Sequence, residues 1–292
     1  MKKKLTMEKR RNLTGWAFLT PATILILWMS FYPMFRALIL SMQSGAGSNM
    51  KFAGLANYQR MVNDKVFWRT TGNTFIYLLL QVPVMLLFAM ILASMLNTRN
   101  LKFKGLFRTA IFLPCATSLV SYSMIFRSMF AMDGLVNSAL VRMGILDTGY
   151  NWLANTGTAR MVIVLALLWR WTGYNMVFFL SALQNIDYSI YEAAKIDGAN
   201  VFQQFTRITA PLVRPTILLT AIMSTNGTLQ LYDESVNLTN GGPANTSMTM
   251  SHYIYDVAFT KSQMGYAAAL SFIILILVAV LALVQMKVGD KR

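Results

Sequence analysis

The sequence predicts an all-α integral membrane protein with six transmembrane helices, on the evidence of its composition, its apolar blocks and its charge distribution. Of 292 residues, 55% are hydrophobic and only 13% are charged, and the mean hydropathy is +0.48. A soluble domain carries about a quarter charged residues, so this composition excludes a soluble enzyme. The apolar residues fall into blocks of about 20, the length that a helix needs to cross a hydrocarbon layer about 30 Å thick.

Six apolar blocks follow one another, at about 14–40, 73–96, 106–130, 159–184, 211–231 and 264–286. The first could be a secretory signal peptide, but it exceeds the usual apolar length of about 7–15 residues and more spans follow. We therefore expect an uncleaved first span. Pro83 and Pro114 lie inside the second and third spans, where neighbouring helices can satisfy the carbonyls that proline frees. The fifth block becomes polar after Met223, and the sixth is the most uniformly apolar.

Basic residues predict the orientation of these spans. The net charge of +15 comes from 26 Lys and Arg against 11 Asp and Glu, and basic residues accumulate in cytoplasmic loops. Sixteen of the 26 share one side if that side holds both termini, the loop 97–108 and the segment 185–215. We therefore expect two regions, a cytoplasmic basic tail at 1–13 and a six-span transmembrane domain at 14–292. The excess of basic residues thus indicates how the chain is oriented in the lipid membrane. It does not indicate a nucleic-acid partner.

Metal and nucleophile chemistry have few candidate residues. The chain has one cysteine, Cys115, which lies inside an apolar block, and one histidine, His252. An intrachain disulfide is therefore impossible, and neither a Cys/His metal cluster nor a Cys–His nucleophilic pair is expected. His252 falls in an outer segment, where we expect it at the surface.

The polar segment 186–211 joins the fourth and fifth spans on the predicted cytoplasmic side. Ser189 and Glu192 have the spacing of a capping box, which predicts a helix start. Gly198 suits the left-handed position that ends a helix, and Asn200 can cap a second helix. The second helix is expected to carry three apolar side chains on one face: Phe202, Phe205 and Ile208. An interfacial helix would be rich in Lys and Arg, so the mixed charges here favour docking in a protein groove.

The run Glu192-Ala193-Ala194, followed at fixed distances by Gly198, Ile208 and Pro211, resembles the EAA loop of ABC importer membrane subunits. The longer run YEAAKIDGANVFQQFTRITAPLVRPT is similar to carbohydrate-importer permeases of the maltose-transporter type. Ala210 departs from the leucine usual in that family. Other segments also resemble it, namely FAGLANYQRMVNDKVFWRTTGNT, LTNGGPANTS, YIYDVAF and MGYAAALS, and TNGGP is typical of its first permease.

The resemblance implies a type I ABC importer transmembrane domain whose EAA loop docks in a cleft of a cytoplasmic ATPase. Glu192 would pair with a basic residue of the ATPase, Ala193 and Ala194 would allow close approach, and Gly198 would set the angle between two helices. The remaining coupling positions are Asp197, Phe202, Ile208 and Pro211. The chain has no GxxxxGK[ST] phosphate loop, so energy would come from that partner.

The same resemblance implies the rest of the assembly. A homologous second permease, two ABC ATPase subunits and an extracytoplasmic solute-binding protein would join this chain in a prokaryotic cell membrane. ATP and Mg would belong to the ATPase, and no cofactor is expected on this chain.

Polar and aromatic residues in the fourth and fifth spans form the candidate solute site. Interrupted spans mark binding sites in transporters, because irregular backbone is tolerated only where it lines a cavity. Hydroxyls and amides suit sugar hydroxyls, aromatic rings stack on sugars, and Gly173 would leave room. With the family's sugar site on the same spans, the candidates are Gly173, Tyr174, Asn175, Met176, Ser224, Gly227, Thr228, Gln230 and Leu231. The alternative is that these side chains only hold the helices together.

Arg170 lies within the fourth span, where an unpaired charge is costly. We expect it to form an ion pair with Asp233 or Glu234, and direct contact with substrate is the alternative.

These observations predict a non-catalytic permease subunit of an ATP-driven, binding-protein-dependent importer of a mono- or oligosaccharide, which works by alternating access. An ABC permease for glycerol phosphate, an amino acid or a polyamine is the alternative, followed by a secondary transporter and then a membrane enzyme. A secondary transporter would need coupling acids, and the six predicted spans contain no Asp or Glu.

Overall fold

The computed structural model describes residues 6–45, 49–98 and 101–289. Several basic residues that contribute to the predicted orientation lie outside these ranges: Lys2, Lys3, Lys4, Arg99, Lys291 and Arg292. The described helices are α1 (Met7–Ser41), α2 (Ala56–Val62), α3 (Lys65–Leu96), α4 (Lys104–Ala116), α5 (Leu119–Met129), α6 (Leu135–Arg142), α7 (Thr156–Gln184), α8 (Ser189–Ile196), α9 (Val201–Leu212), α10 (Arg214–Leu229), α11 (Asp233–Thr239), α12 (Met250–Tyr255) and α13 (Met264–Gly289). Two short antiparallel strands, β1 (Gln43–Ser44) and β2 (Lys51–Phe52), complete the described secondary structure.

Four of the described helices are long and apolar enough to cross a membrane: α1, α3, α7 and α13. Two further spans are possible as bent pairs, α4 with α5 at 97° and α9 with α10 at 72°. Each of the six predicted spans falls on one of these helices or pairs. The all-α class predicted from the sequence is therefore confirmed.

Two spans begin earlier in the structure than the apolar blocks suggest. Helix α1 starts at Met7, inside the stretch predicted as a basic tail, and α3 starts at Lys65. The Asp64 side chain accepts hydrogen bonds from the N–H groups of Val66 and Phe67, which fixes the start of α3. At 1.5 Å per residue, the 32 residues of α3 extend about 48 Å, well beyond a hydrocarbon layer of about 30 Å. A helix therefore continues past the apolar block that reveals it.

The third span, predicted at 106–130 with Pro114 inside it, is broken into α4 and α5, which meet at 97°. Helix α4 ends at Ala116, Thr117 is extended, and α5 begins at Leu119. The Thr117 hydroxyl bonds back to the Pro114 carbonyl at 2.6 Å and closes the end of α4. By contrast, α3 runs through Pro83 without interruption.

The polar part of the fifth span is more regular than predicted. Helix α10 continues through Ser224 and Thr228 to Leu229, so the polar residues lie on intact helix. The prediction of irregular backbone there was wrong, because hydroxyl and amide side chains bond without unwinding the helix. The Thr228 hydroxyl oxygen, for example, lies 2.9 Å from the Ser224 carbonyl oxygen one turn earlier.

The chain divides into two compact units. One contains the described residues up to Asn63 together with Tyr255–Phe272, and the other contains Asp64–Ile254 together with the described residues from Ile273 onward. In the first unit, the Asn57 amide donates to the carbonyls of Ser41 and Gln43, both at 2.8 Å. The apolar side chains of α1 are mostly exposed, as expected of a span that faces lipid or a partner.

The second unit is organised around α3 and α7, which pack along each other, with α4 and α10 beside them. Two buried clusters fill it. One includes Tyr77, Tyr122, Val162, Ile163, Leu167 and Leu238, and the other includes Ala89, Ala93, Phe179, Leu183 and Val213. This packing fixes the positions of the fourth and fifth spans, where the candidate solute residues lie.

Candidate functional site

A cavity of about 310 Å³ lies between α3, α7 and α10 in the second unit. It brings together seven of the nine predicted substrate residues: Tyr174, Asn175, Ser224, Gly227, Thr228, Gln230 and Leu231. The rest of its wall consists of Gln81, Met85, Leu119, Leu167, Trp171, Met223, Tyr232, Asp233 and Glu234. The fourth and fifth spans therefore face one cavity, and the binding role of each residue stays a prediction.

Hydrogen bonds between the spans orient the polar groups of the cavity. The Thr228 hydroxyl donates to the Gln81 side-chain carbonyl at 2.9 Å, and the Ser224 hydroxyl donates to the Asn175 side-chain carbonyl at 3.4 Å. The Asn175 amide also donates to the Trp171 carbonyl at 3.1 Å. The two roles considered for these side chains, solute binding and helix association, are therefore compatible.

Sequence reasoning missed Gln81, which is 2% exposed on the second span. A buried amide in an apolar helix needs a partner, and α10 supplies one through Thr228. The available signal was the lone amide in the run LLLQVPVMLL. That signal could not show which way the side chain points.

Two predicted substrate residues, Gly173 and Met176, do not line this cavity, and their binding role stays a prediction. A Cβ atom at Gly173 would lie 1.9 Å from the Ile111 carbonyl oxygen, so Gly173 allows close contact between α7 and α4. Met176 is fully buried in the core between α3 and α7. Both face the packed side of α7.

Arg170 does not form the predicted ion pair with Asp233 or Glu234 in the described structure. It is 6% exposed, and its Nη1 donates to the Thr117 carbonyl at 2.8 Å, where the third span breaks. Its guanidinium also lies over the Tyr122 ring, 4.8 Å from the centroid. The carbonyl dipole and the aromatic face replace the expected carboxylate, which corrects the prediction.

Glu234 is buried just beyond the end of the fifth span and accepts a hydrogen bond from the Tyr122 hydroxyl. Burial raises the pKa of its carboxyl above the ordinary value, because desolvation disfavours the charged form. Arg170 contacts the ring of the same tyrosine. Tyr122 therefore stands between the buried cation and the buried acid.

His252 is also placed differently from the prediction, which put it at the surface. It is 6% exposed, and its Nδ1 lies 2.9 Å from the Ser235 hydroxyl. The Tyr232 ring packs edge-on against it. The segment between α10 and α13 folds over this imidazole, so His252 contributes to the interior of the segment.

The segment 186–211 forms the predicted helix-turn-helix, with a different first cap. The predicted capping box at Ser189 and Glu192 is wrong, because Ser189 makes no capping bond. The Asp187 carboxylate accepts from the Ser189 N–H at 3.0 Å instead. This hydrogen bond lowers the pKa of Asp187.

The turn and the second helix form as predicted. Gly198 has φ of +82°, in the left-handed region that favours glycine. The Asn200 side chain accepts from the Gln203 N–H at 2.8 Å, and the Gln203 side chain accepts from the Asn200 N–H at 2.9 Å. These reciprocal bonds form the capping box that starts α9.

The predicted apolar face of the second helix is divided. Phe202 is exposed, whereas Phe205 packs against the core between α3 and α7, and Ile208 is half-buried. A π-helical stretch at Phe205–Thr209 changes the helical phase between these residues. The prediction of one continuous face was therefore wrong, and Phe202 remains available to a partner.

The predicted coupling residues are mostly at the surface. Glu192, Ala193, Asp197, Gly198 and Pro211 are exposed, and Ala194 is turned into the fold. Their contact with an ATPase stays a prediction.

Comparison with known families decides what kind of protein carries this cavity and loop. The family of inner membrane components of binding-protein-dependent transport systems matches residues 52–289. The chain belongs to this family. As an inner membrane transport component, it is a multi-pass membrane protein.

Individual relatives of this transport component match it along nearly its whole length. The lactose transport system permease protein of Rhizobium radiobacter is 48% identical over 98% of this chain and 97% of the relative. The arabinooligosaccharides transport system permease protein of Bacillus subtilis is 34% identical over 96% and 89%. The multiple sugar-binding transport system permease protein of Streptococcus mutans is 32% identical over 98% and 99%.

The fold is also found in solved ABC transporters. A bacterial transporter involved in the import of the acidic polysaccharide alginate has a chain that matches with a TM-score of 0.85 and 23% identity, covering 97% of this chain and 96% of the other. A second structure, in complex with the alginate pentasaccharide-bound periplasmic protein, matches with a TM-score of 0.86 and 22% identity, over 99% and 98%. These likenesses confirm the predicted ABC importer transmembrane fold.

Proposed function

We propose that this chain is the non-catalytic membrane subunit of an ATP-driven importer of a mono- or oligosaccharide. The observation that carries the proposal is the cavity between α3, α7 and α10, which is lined by hydroxyls, amides and aromatic rings. Relatives named for lactose, arabinooligosaccharide and multiple-sugar transport support the same solute class.

The chemistry of the wall suits a saccharide. Sugar hydroxyls both donate and accept hydrogen bonds, and neutral hydroxyl and amide side chains such as Ser224, Asn175 and Gln230 offer both roles. Trp171 and Tyr174 pack edge to face with ring centroids 5.8 Å apart and present aromatic surface to the cavity. The volume of about 310 Å³ falls within the range of ligand pockets.

Energy would enter through the exposed segment 186–211. In this proposal, Glu192 and its neighbours dock on a cytoplasmic ATPase, which carries ATP and Mg, and the loop transmits closure of that ATPase to the spans. A homologous second permease would complete the pathway, and an extracytoplasmic solute-binding protein would deliver the sugar. Both termini would lie in the cytoplasm, in agreement with the distribution of basic residues.

Transport by the purified complex tests the solute class. The complex that copurifies with the full-length tagged chain is reconstituted in liposomes with its solute-binding protein and supplied with ATP. We expect uptake of labelled lactose or another neutral oligosaccharide, dependent on ATP and on the binding protein. Uptake confined to an amino acid, glycerol phosphate or a polyamine would contradict the carbohydrate proposal, and ATP-independent uptake would indicate a secondary transporter.

A charge reversal tests the coupling role of the loop. Glu192→Lys is expected to leave the chain in the membrane while reducing sugar uptake at least tenfold, because it places a cation against the basic residue proposed on the ATPase. Asp147→Lys reverses an exposed acid outside this loop and should preserve uptake. Normal uptake by the Glu192→Lys variant would overturn the coupling assignment.

A further inference from the structure

The cavity wall carries charge of one sign. Of its sixteen lining residues, Asp233 and Glu234 are the only charged ones, and none is Lys, Arg or His. Both acids begin α11, directly after the fifth span ends. They therefore close one end of a wall that is otherwise neutral.

The Asp233 carboxylate is available to a ligand. It is half-buried, and no described side chain forms a hydrogen bond or an ion pair with it. Glu234 is 3% exposed and is held by the Tyr122 hydroxyl. One acid is thus free on the wall and the other is fixed in position behind it.

No cation on the wall compensates these acids. Arg170 interacts electrostatically with Glu234, but it does not line the cavity. Its guanidinium is engaged by the Thr117 carbonyl and the Tyr122 ring. An anionic ligand would therefore meet carboxylates and neutral dipoles, without a cation among the described lining residues.

We propose that Asp233, supported by Glu234, makes this cavity selective for uncharged saccharides and against those that carry carboxylate or phosphate groups. The inference rests on the proposed function and narrows its solute class. A carboxylate accepts strong hydrogen bonds from sugar hydroxyls. The same carboxylate repels a second anion, most effectively where water is partly excluded. Discrimination thus comes from attraction of one solute and repulsion of the other.

Pairs of saccharides that differ in the charge of their C6 groups test this selectivity. The probes are lactose and maltotriose, each compared with its counterpart in which C6 hydroxyls are oxidised to carboxylates. Binding is measured by equilibrium dialysis on the full-length chain with its copurifying subunits in nanodiscs. The solute-binding protein is left out so that its own selectivity does not enter. Each probe is tested without nucleotide and with a non-hydrolysable ATP analogue.

We expect a neutral probe to bind at least about tenfold more tightly than its oxidised counterpart. Equal affinity for the two members of a pair would overturn the charge selection while leaving the carbohydrate proposal intact. Failure of every saccharide to bind, with glycerol phosphate or spermidine bound instead, would contradict the proposed function itself.

Substitutions assign the selectivity to the acid. Asp233→Asn should bring the affinities of neutral and oxidised probes to within about threefold of each other. Binding of the neutral probe by this variant shows that the site remains folded. Glu234→Gln should also lower the ratio of the affinity for the neutral probe to that for the oxidised probe. Asp147→Asn removes the same charge from an exposed position outside the cavity and should leave the ratio unchanged. An unchanged ratio in Asp233→Asn would overturn the role of this residue.

Discussion

The Tyr122 hydroxyl donates a hydrogen bond to the Glu234 carboxylate, joining the third span to the wall of the cavity. The ring of the same tyrosine lies beneath the Arg170 guanidinium, whose Nη1 bonds the Thr117 carbonyl at the break in that span. The break and the cavity wall therefore share one buried residue. A shift of α5 relative to α7 and α11 would disturb both contacts of Tyr122 together.

Loss of this hydroxyl should destabilise the chain. Tyr122→Phe keeps the ring but leaves the Glu234 carboxylate buried without its donor, which should lower the free energy of unfolding by about 1–3 kcal/mol. The change is measured as a lower midpoint of thermal unfolding in detergent. Tyr32→Phe, at an exposed position on α1, should leave the midpoint unchanged. Equal midpoints for Tyr122→Phe and the wild type would show that the hydrogen bond adds nothing.

Double substitutions distinguish the partners of Arg170. Arg170→Met and Tyr122→Leu should be coupled by about 0.5–2 kcal/mol, because each removes one side of the same cation–π contact. Arg170→Met and Asp233→Asn should be additive within about 0.5 kcal/mol, because no ion pair joins them. For both cycles, the free energy of unfolding is measured for the wild type, the single variants and the double variant. Strong coupling between Arg170 and Asp233 in the second cycle would contradict this prediction and support the ion pair expected from the sequence.

Much of the fold could be predicted from the sequence, because its signals are local. Apolar length reveals the six spans, and the turn between α8 and α9 follows from Gly198 and Asn200 alone. The break in the third span could not be predicted, since its free carbonyl at Thr117 is satisfied by Arg170 from another helix. His252 is buried for the same kind of reason, since Ser235 reaches it from a separate helix.

The candidate site could be predicted in part for a related reason. Ser224 and Thr228 lie one helical turn apart on α10, so they face one side, and both line the cavity. On the fourth span the consecutive residues 173–176 point in different directions. Only tertiary packing shows that Tyr174 and Asn175 face the cavity while the residues on either side of them pack inward.

The two capping positions of the segment 186–211 give a matched test. Asn200→Ala removes a side-chain acceptor that caps α9 and should cost about 1 kcal/mol of helix stability. Ser189→Ala removes a hydroxyl that makes no capping bond and should cost little. Hydrogen exchange of the amides in α8 and α9 measures both. Faster exchange in Ser189→Ala than in Asn200→Ala would contradict the observed caps and favour the capping box expected from the sequence.

Gly173 should be among the least replaceable residues of the fourth span. A Cβ atom there would lie 1.9 Å from the Ile111 carbonyl oxygen and 2.7 Å from its carbon, and these are backbone atoms that cannot rotate away. Gly173→Ala should therefore force α4 and α7 apart and cost about 1–3 kcal/mol. Thermal unfolding and the yield of folded chain in the membrane measure the effect.

Gly157, on the same helix, is the matched control for this substitution. Apart from its chain neighbours and the nearby backbone of its own helix, no described atom lies within 4 Å of a Cβ built there. Gly157→Ala should therefore be neutral or slightly stabilising, since alanine has the higher helix propensity. If Gly173 instead provides room for a sugar, Gly173→Ala would weaken solute binding while leaving the unfolding midpoint unchanged. A lower midpoint confined to the Gly173 variant assigns the residue to contact between α4 and α7.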